Sequence, residues 1–266
     1  MTGNDWLQVC RAAAGDVRDV LERLRGRELR EPVVGDGLGG DDTTAVDAAA
    51  EHAVVERLRE AGVPFTLVSE ELGEKRFGEG GPWIVLDPID GSNNAKRGIP
   101  HFSLSIAVAE GPTMGDVVLG YVLDLGSGEE WTARRGEGAF LDGARLGAER
   151  PKDEMEILAF EATTTRTVAE QAGAMVGIAY RLRIMGSLAL ALCQLAAGRL
   201  DGVCSLKPAR SVDIAAAQLL VRECGLAIDL FDTPPFTAAP LDVEGRSRVV
   251  AAATPAGCAR LAAALQ

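Results

Sequence analysis

The chain has 266 residues, of which 47% are hydrophobic and 25% are charged, so its length permits a large core and its composition excludes a disordered protein. The formal net charge of −12 argues against nucleic acid or an anionic membrane surface as a partner. An anionic substrate would need cations between itself and such a protein.

The chain also lacks the signals of export and of membrane insertion. Its first residues, MTGNDWLQVC, have neither the basic region nor the apolar stretch of a signal peptide, and the apolar run LALALCQLAA is too short to span a bilayer. The 5 cysteines are odd in number and form no C-x-x-C pair, which predicts buried reduced thiols rather than a disulfide framework or a zinc site. We therefore expect a cytoplasmic protein.

The first part of the chain is predicted to combine helices with strands. Apolar spacing predicts a helix over residues 5–25, and a second helix begins near Thr44 and ends near Glu60. Residues 26–42 between them carry charges, a proline and glycines without periodicity, which indicates a mobile loop. Strands are predicted at 65–69, 83–87, 102–110, 115–124, 129–136 and 138–143. The last four of these resemble an antiparallel meander.

After a linker around residues 147–155, strands and helices alternate. Strands are predicted at 156–160, 181–185, 200–205, 226–230 and 247–252. Helices are predicted at 166–176, 187–198, 212–224 and 255–265. The change of pattern predicts an α+β half over residues 1–150, which carries a metal-binding turn, and an α/β half over residues 151–266.

The metal-binding turn is the stretch WIVLDPIDGSNN, residues 83–94, in which an apolar strand leads into two acids, Asp87 and Asp90. A turn of this kind can present both carboxylates and the Ile89 carbonyl to one side, and hard divalent cations such as magnesium take oxygen ligands of these types. A solvated loop would hold the same acids at no cost, and this alternative stays open at this point.

Three residues that follow the two acids predict an anion site. Gly91, Ser92 and Asn93 can offer backbone N–H groups to a phosphate, especially if a helix begins there. Carboxylates beside an anion site in an acidic protein indicate metal-assisted phosphoryl chemistry.

Other acids also lie at the ends of predicted elements. Glu70 and Glu71 leave the strand at 65–69, Asp213 lies in the first turn of a helix, and Asp47 follows Thr44 in the first turn of another. Each has a simpler interpretation, since acids near a helix start interact favourably with the helix dipole or cap it, and the two glutamates could be solvated loop residues.

Together these motifs resemble a known family. The segments VSEELGE, WIVLDPIDGSNN and SVDIAAAQLLVRECG are similar to the three signature segments of the inositol monophosphatase and fructose-1,6-bisphosphatase superfamily. RGIPHFSLSIAV and KPARSVDIAA look closest to the archaeal-type members, which act on both fructose 1,6-bisphosphate and inositol monophosphates. The resemblance implies α+β and α/β parts in a layered α-β-α-β-α sandwich of the sugar phosphatase type, usually a homodimer.

The resemblance also implies two or three magnesium ions in each active site. The implied metal ligands are Glu70, Asp87, the Ile89 carbonyl, Asp90, Asp213 and Asp41. Glu70, Asp87 and Ile89 would hold the first ion, and Asp87, Asp90 and Asp213 the second. A third, weaker ion would use Glu70 with Asp41 from the loop at 26–42.

The implied catalytic residues are Glu70, Asp47 and Ser92, and the last two correspond to the acid–hydroxyl pair that polarises the attacking water. Gly91, Ser92 and Asn93 would bind the substrate phosphate.

One position departs from the inositol-selective members, which carry an acid where this chain has Leu206. The archaeal-type members carry an arginine there, so neither substrate preference transfers. Lys207 and Arg210 are nearby cations that could hold a second phosphate, and the alternative is that both are surface charges beside a helix start.

These features predict a magnesium-dependent phosphomonoesterase for small, anionic sugar or polyol phosphates, inositol monophosphate and/or fructose 1,6-bisphosphate. A metal-activated water would attack phosphorus, and a second metal would neutralise the leaving oxygen. The alternatives are a phosphatase for histidinol phosphate or 3′-phosphoadenosine 5′-phosphate, and a metal-binding regulatory dimer without turnover.

Overall fold

The computed structural model describes residues 3–38, 42–161, 164–231 and 235–266. The first part of the chain contains, in order, α1 (Gly3–Arg23), α2 (Arg27–Arg30), β1 (Val33–Asp36), β2 (Asp42–Thr44), α3 (Ala45–Glu60), β3 (Phe65–Ser69), β4 (Gly73–Phe77), β5 (Trp83–Asp90), α4 (Ser92–Arg97), β6 (Ser103–Ala109), β7 (Val117–Asp124), β8 (Glu130–Arg134), β9 (Gly138–Leu141) and β10 (Ala144–Arg145). The second part contains β11 (Met155–Glu161), α5 (Thr165–Gln171), β12 (Ala179–Arg183), α6 (Leu188–Ala196), β13 (Gly202–Ser205), α7 (Ser211–Glu223), β14 (Ala227–Leu230), β15 (Val249–Ala252) and α8 (Pro255–Ala264).

Two sheets organise these elements. The larger sheet has 8 strands in the order β10-β9-β8-β7-β6-β5-β3-β4, and the smaller has 5 in the order β12-β11-β13-β15-β14. Strands β6 to β9 pair antiparallel in sequence, which confirms the predicted meander. The larger sheet draws only on the first 150 residues and the smaller only on the rest, but both contribute to one core, so the division into halves stays a prediction.

Helices cover both faces of each sheet. Helices α1 and α3 pack on the outer face of the larger sheet, α6 and α7 lie between the sheets, and α8 packs on the outer face of the smaller one. Strand β6 shows why, because its consecutive residues Ile106 and Ala107 point into different apolar clusters on opposite faces. This order of layers confirms the predicted α-β-α-β-α sandwich.

The segment 26–42 contains structure that the sequence pattern does not reveal. It includes α2 and β1, and β1 pairs antiparallel with β2. The interpretation of this segment as a loop without elements was therefore wrong over these residues, because short paired strands need no alternation of apolar residues when little of them is buried. Asp41 lies outside the described residues.

The predicted state of the cysteines is confirmed. All five cysteines are buried free thiols. Among the described residues, no helix combines the length and the apolar character needed to cross a membrane.

Gly120 of β7 allows helix α7 to approach the larger sheet closely. A Cβ atom at this position would lie 2.4 Å from the carbonyl oxygen of Ala216 in α7. Since atoms in a close-packed core cannot approach to that distance, a side chain here would push helix and sheet apart.

We expect Gly120→Val to lower the free energy of unfolding by about 3 kcal/mol, at the upper end of the usual cost of overpacking. Gly15→Ala is the matched control, because Gly15 lies within α1 and a Cβ there meets no atom within 4 Å. That control should gain about 0.5–1 kcal/mol from the lower entropy of its unfolded chain. Urea unfolding measures both, and equal stabilities of Gly120→Val and the wild type would contradict the expected clash.

Candidate active site

The acids of the site lie where two parallel strands end. Strands β3 and β5 pair in parallel, so their carboxyl ends share one edge of the sheet. Glu70 follows β3 directly, while Asp87 and Asp90 lie in the last four residues of β5. The pairing of β5 with β6 is irregular between these two residues. The parallel pairing therefore brings the acids of two sequence segments together.

Asp87 and Ile89 form a tight local turn. The side chain of Asp87 is 1% exposed, and its Oδ1 accepts a hydrogen bond from the Ile89 N–H at 3.0 Å. The Ile89 carbonyl accepts one from the Ser92 hydroxyl, also at 3.0 Å. Gly91 has φ of 99°, and a Cβ there would lie 3.0 Å from the Gly186 carbonyl oxygen, so both conformation and space favour glycine.

Asp90 is held by the N-terminus of helix α6. Its Oδ2 accepts hydrogen bonds from the Ser187 hydroxyl at 2.5 Å and from the Ala189 N–H at 2.8 Å. The first turn of a helix has unsatisfied N–H groups and a positive dipole end, both of which favour a carboxylate. This contact fixes the end of β5 to the start of α6, the helix that lies between the two sheets.

Helix α7 contributes Asp213 and, at its N-cap, Arg210. Asp213 Oδ2 accepts a hydrogen bond from the Arg210 N–H at 2.7 Å, and its Oδ1 accepts one from Arg210 Nη2 at 2.8 Å. Arg210 Nη1 forms an ion pair with Glu70 Oε1 at 2.6 Å. The guanidinium thus bridges acids from two elements of the fold.

Helix α3 contributes Asp47 in its first turn. Asp47 Oδ2 accepts hydrogen bonds from the Thr44 N–H at 3.2 Å and from the Thr44 hydroxyl, so the predicted capping interaction is present. Burial raises the pKa of Asp47, while hydrogen bonds to Thr44 and Ser92 act in the opposite direction. The acid and the hydroxyl that the family resemblance pairs are therefore neighbours.

Burial and mutual repulsion dominate the electrostatics of the acids. Burial is the largest cause that raises the pKa of Glu70 to about 8 and of Asp90 to about 7. The pKa of Asp87 lies well above its usual value because of burial and the charges of Glu70, Asp90 and Asp213. Burial alone would lower the pKa of Arg210, but Asp213 and Glu70 together raise it.

The chemistry of this donor set fits a hard divalent cation. Glu70, Asp87, Asp90 and Asp213 offer carboxylate oxygens, the Ile89 carbonyl is adjacent, and these buried like charges require positive charge nearby. Within the described ranges, however, no three His, Cys, Asp or Glu side chains are already arranged around a metal position. The charge is instead supplied by Arg210.

The remaining predicted residues differ in accessibility. Asn93, in the first turn of α4, and Lys207 are exposed, whereas Arg210 is only 6% exposed and is not a surface charge. Leu206 is buried directly after β13, and its N–H donates to the Glu161 carbonyl at 2.7 Å.

Three residues of the site were missed from the sequence. Ser187 holds Asp90, and Glu161 accepts the N–H groups of Met185 and Gly186 at 3.1 and 2.8 Å, which fixes the loop before α6. Glu51 accepts hydrogen bonds from the Ser69 hydroxyl and from a backbone N–H in the turn that carries Glu70. Ser187 precedes a predicted helix and could have been identified as its N-cap, but its contact with Asp90 depends on the tertiary fold.

In the metal-free protein, thermal stability should fall as pH rises from about 5 to about 8.5. A carboxyl group with a raised folded-state pKa contributes stability that is complete below its unfolded pKa of about 4 and is lost as pH rises through the folded value. For Asp90 and Glu70 the folded values are about 7 and about 8. Scanning calorimetry in chelator measures the fall, which should be smaller in Asp90→Asn; parallel curves for the two proteins would contradict this origin.

Comparison with known proteins shows to which family the chain belongs. The model of the inositol monophosphatase family matches residues 5–266. The chain belongs to the inositol monophosphatase family. This confirms the resemblance seen in the three signature segments and makes the protein a member of a family of phosphatases.

Relatives of this inositol monophosphatase family member carry two kinds of name. The fructose-1,6-bisphosphatase/inositol-1-monophosphatase of Methanothermobacter thermautotrophicus is 32% identical over 231 residues, 83% of this chain and 82% of that protein. The Nus factor SuhB of Pasteurella multocida is 37% identical over 191 residues, 70% of each chain. Among solved structures, the MJ0109 gene product, an inositol monophosphatase-fructose 1,6 bisphosphatase, aligns with a TM-score of 0.85 and 24% identity over 98% of this chain and 99% of that one.

Proposed function

We propose that this protein is a magnesium-dependent phosphomonoesterase for small sugar or polyol phosphates, namely inositol monophosphate and/or fructose 1,6-bisphosphate. The observation that carries the proposal is the convergence of Glu70, Asp87, Asp90 and Asp213, which reach one place from β3, β5 and α7. Family membership supports phosphate-ester hydrolysis, and the acids supply the ligands that magnesium requires.

The proposed reaction uses three parts of the site: the metal-binding acids, the pair Ser92 and Asp47, and the start of α4. Magnesium bound to this group would activate the attacking water and neutralise charge on the leaving oxygen. Ser92 lies next to Asp47, so a chain from water through the hydroxyl to the carboxylate can hold the water in line with phosphorus and accept its proton. The N–H groups that follow Gly91 at the start of α4 are the proposed partners of the phosphate oxygens.

The substrate class follows from the relatives and from one buried residue. The name of the 32% identical archaeal relative joins fructose 1,6-bisphosphate and inositol 1-phosphate activities. Leu206 cannot grip a ring hydroxyl as an acid would, which favours a substrate held chiefly through its phosphates. Lys207, which is exposed, is the proposed contact of a second phosphate.

A regulatory role without turnover is the second candidate. It is supported by the 37% identical relative named Nus factor SuhB. The presence of every expected acid favours the enzyme. We propose a homodimer in either case, and light scattering of the purified protein measures its mass.

Phosphate release decides between the two candidates. The protein is incubated with fructose 1,6-bisphosphate, inositol 1-phosphate, histidinol phosphate or 3′-phosphoadenosine 5′-phosphate, each with magnesium or with chelator. We expect magnesium-dependent release from one or both of the first two substrates. Release only from histidinol phosphate or from the adenosine nucleotide would show that the proposed substrate class is wrong. No release from any of the four would favour the regulatory candidate.

A further inference from the structure

Arg210 occupies an unusual position for an arginine. It is 6% exposed, and its guanidinium contacts Asp213 Oδ1 at 2.8 Å and Glu70 Oε1 at 2.6 Å. Asp87 also interacts with it electrostatically. A buried charge is tolerated only when it is paired, and here the partners come from the turn after β3 and from the first turn of α7.

The same two carboxylates belong to the proposed magnesium site. Both carboxylate oxygens of Asp213 and Oε1 of Glu70 contact the guanidinium, so these three oxygens are directed at Arg210 and not at a shared ion. A divalent cation placed among these acids would also be repelled by a fixed positive charge bonded to two of them. The guanidinium and the metal therefore compete for one set of oxygens.

We propose that Arg210 is the internal counter-ion of the metal-free site, and that magnesium binding requires its guanidinium to leave Glu70 and Asp213. This inference rests on the proposed function, because it takes these acids as metal ligands. Arg210 then sets the affinity for magnesium by stabilising the state without metal.

The backbone geometry permits such a movement without loss of the helix. The link that caps α7 is made by the Arg210 N–H, which donates to Asp213 Oδ2 at 2.7 Å and does not involve the guanidinium. The side chain can therefore leave the acids while the first turn of α7 and the position of Asp213 are retained.

The test is a titration of the metal-free protein with magnesium alone, in which calorimetry measures the binding affinity. The melting temperature in chelator is measured alongside it. Arg210→Gln removes the charge, and Arg210→Lys keeps it but cannot bridge two carboxylates with a planar fork. Arg222→Gln is the matched control, since it removes the same charge from the exposed, opposite end of α7.

Arg210→Gln should bind magnesium about 10- to 100-fold more tightly than the wild type, the size of a typical coupling between two ligands. In chelator it should melt at a lower temperature, because its buried acids have lost their counter-ion. The magnesium affinity of Arg210→Lys should lie between those of the wild type and Arg210→Gln. Arg222→Gln should bind magnesium as tightly as the wild type. If Arg210→Gln does not fold without metal, the comparison of Arg210→Lys with the wild type carries the test.

Two results would overturn the inference. Unchanged or weaker magnesium binding in Arg210→Gln and Arg210→Lys would mean that the guanidinium stays in place or supports the bound ion. An equal gain of magnesium affinity in Arg222→Gln would mean that the gain in Arg210→Gln comes only from the change in net charge. Absence of magnesium binding to the wild type would instead contradict the proposed function itself, so the two failures are distinguishable.

Discussion

The Asp87→Asn variant is expected to lose magnesium-dependent phosphatase activity by on the order of 10³-fold, since a bound metal supplies several kcal/mol of transition-state stabilisation. The amide keeps the shape of the side chain, and its oxygen can still accept the hydrogen bond from the Ile89 N–H. What it lacks is a negative charge to hold the ion. Initial rates at saturating magnesium measure the loss.

The same variant should melt at a higher temperature than the wild type when both are free of metal. Burial and three neighbouring carboxylates disfavour the charge of Asp87, so its removal relieves repulsion in the folded state. Asp213→Asn should lose activity similarly but without this gain, because Asp213 is paired with Arg210.

Asp201→Asn is a matched control for both measurements. Asp201 is also buried, but it accepts three backbone N–H groups at 2.8 to 3.0 Å, those of Lys152, Glu156 and Ile157. We expect that control to lose stability and to keep its activity. Near-wild-type activity of Asp87→Asn at saturating magnesium would rule out the metal site.

Ser92→Ala should lower kcat by on the order of 10²-fold, the usual contribution of a positioned proton acceptor or relay. In the proposed reaction the hydroxyl links the attacking water to Asp47, and the neighbouring Ser92 acts to lower the pKa of that carboxyl. Magnesium affinity should change much less, because Ser92 supplies none of the proposed metal ligands. Rates and magnesium titrations of the same preparation separate the two effects.

Ser92→Thr is the rescue variant, since it restores a hydroxyl at the same position. It should recover most of the kcat that Ser92→Ala loses. If the main effect of Ser92→Ala fell on magnesium affinity, the hydroxyl would act through the Ile89 carbonyl, to which it donates at 3.0 Å. Ser92 would then be a support for a ligand and not a part of the proton path.

Periodic segments were predictable because their burial is regular. Strand β3 has the predicted bounds, and helix α3 begins directly after its predicted start at Thr44. Strand β4 was missed, because its sequence GEKRF is mostly exposed and, within the described part of the chain, pairs with β3 alone at the sheet edge. Its formation depends on a partner strand and not on its own pattern.

The acids of the site were identifiable one by one, but their environment was not. The sequence offered two interpretations of Asp47 and Asp213, a helix cap or a functional acid. The structure shows that both cap their helices. Asp213 also lies among the other acids and Asp47 lies beside Ser92, since each carboxylate has oxygens for more than one partner. The bridge made by Arg210 depends on the distance between α7 and the turn after β3, which no local pattern specifies.

The glycine at position 120 bears on which ion the proposed site would accept. Helix α7 can lie as deep as it does only because the sheet beneath Ala216 carries no side chain, and Ala216 is one turn beyond Asp213. In the proposed site, the depth of the helix would influence how far Asp213 stands from the acids of β5. Magnesium accepts oxygen ligands only near 2.0–2.1 Å, whereas calcium accepts about 2.3–2.6 Å. In the proposed site, Gly120 of the core strand β7 would thus influence which ion fits between Asp213 and the acids of β5.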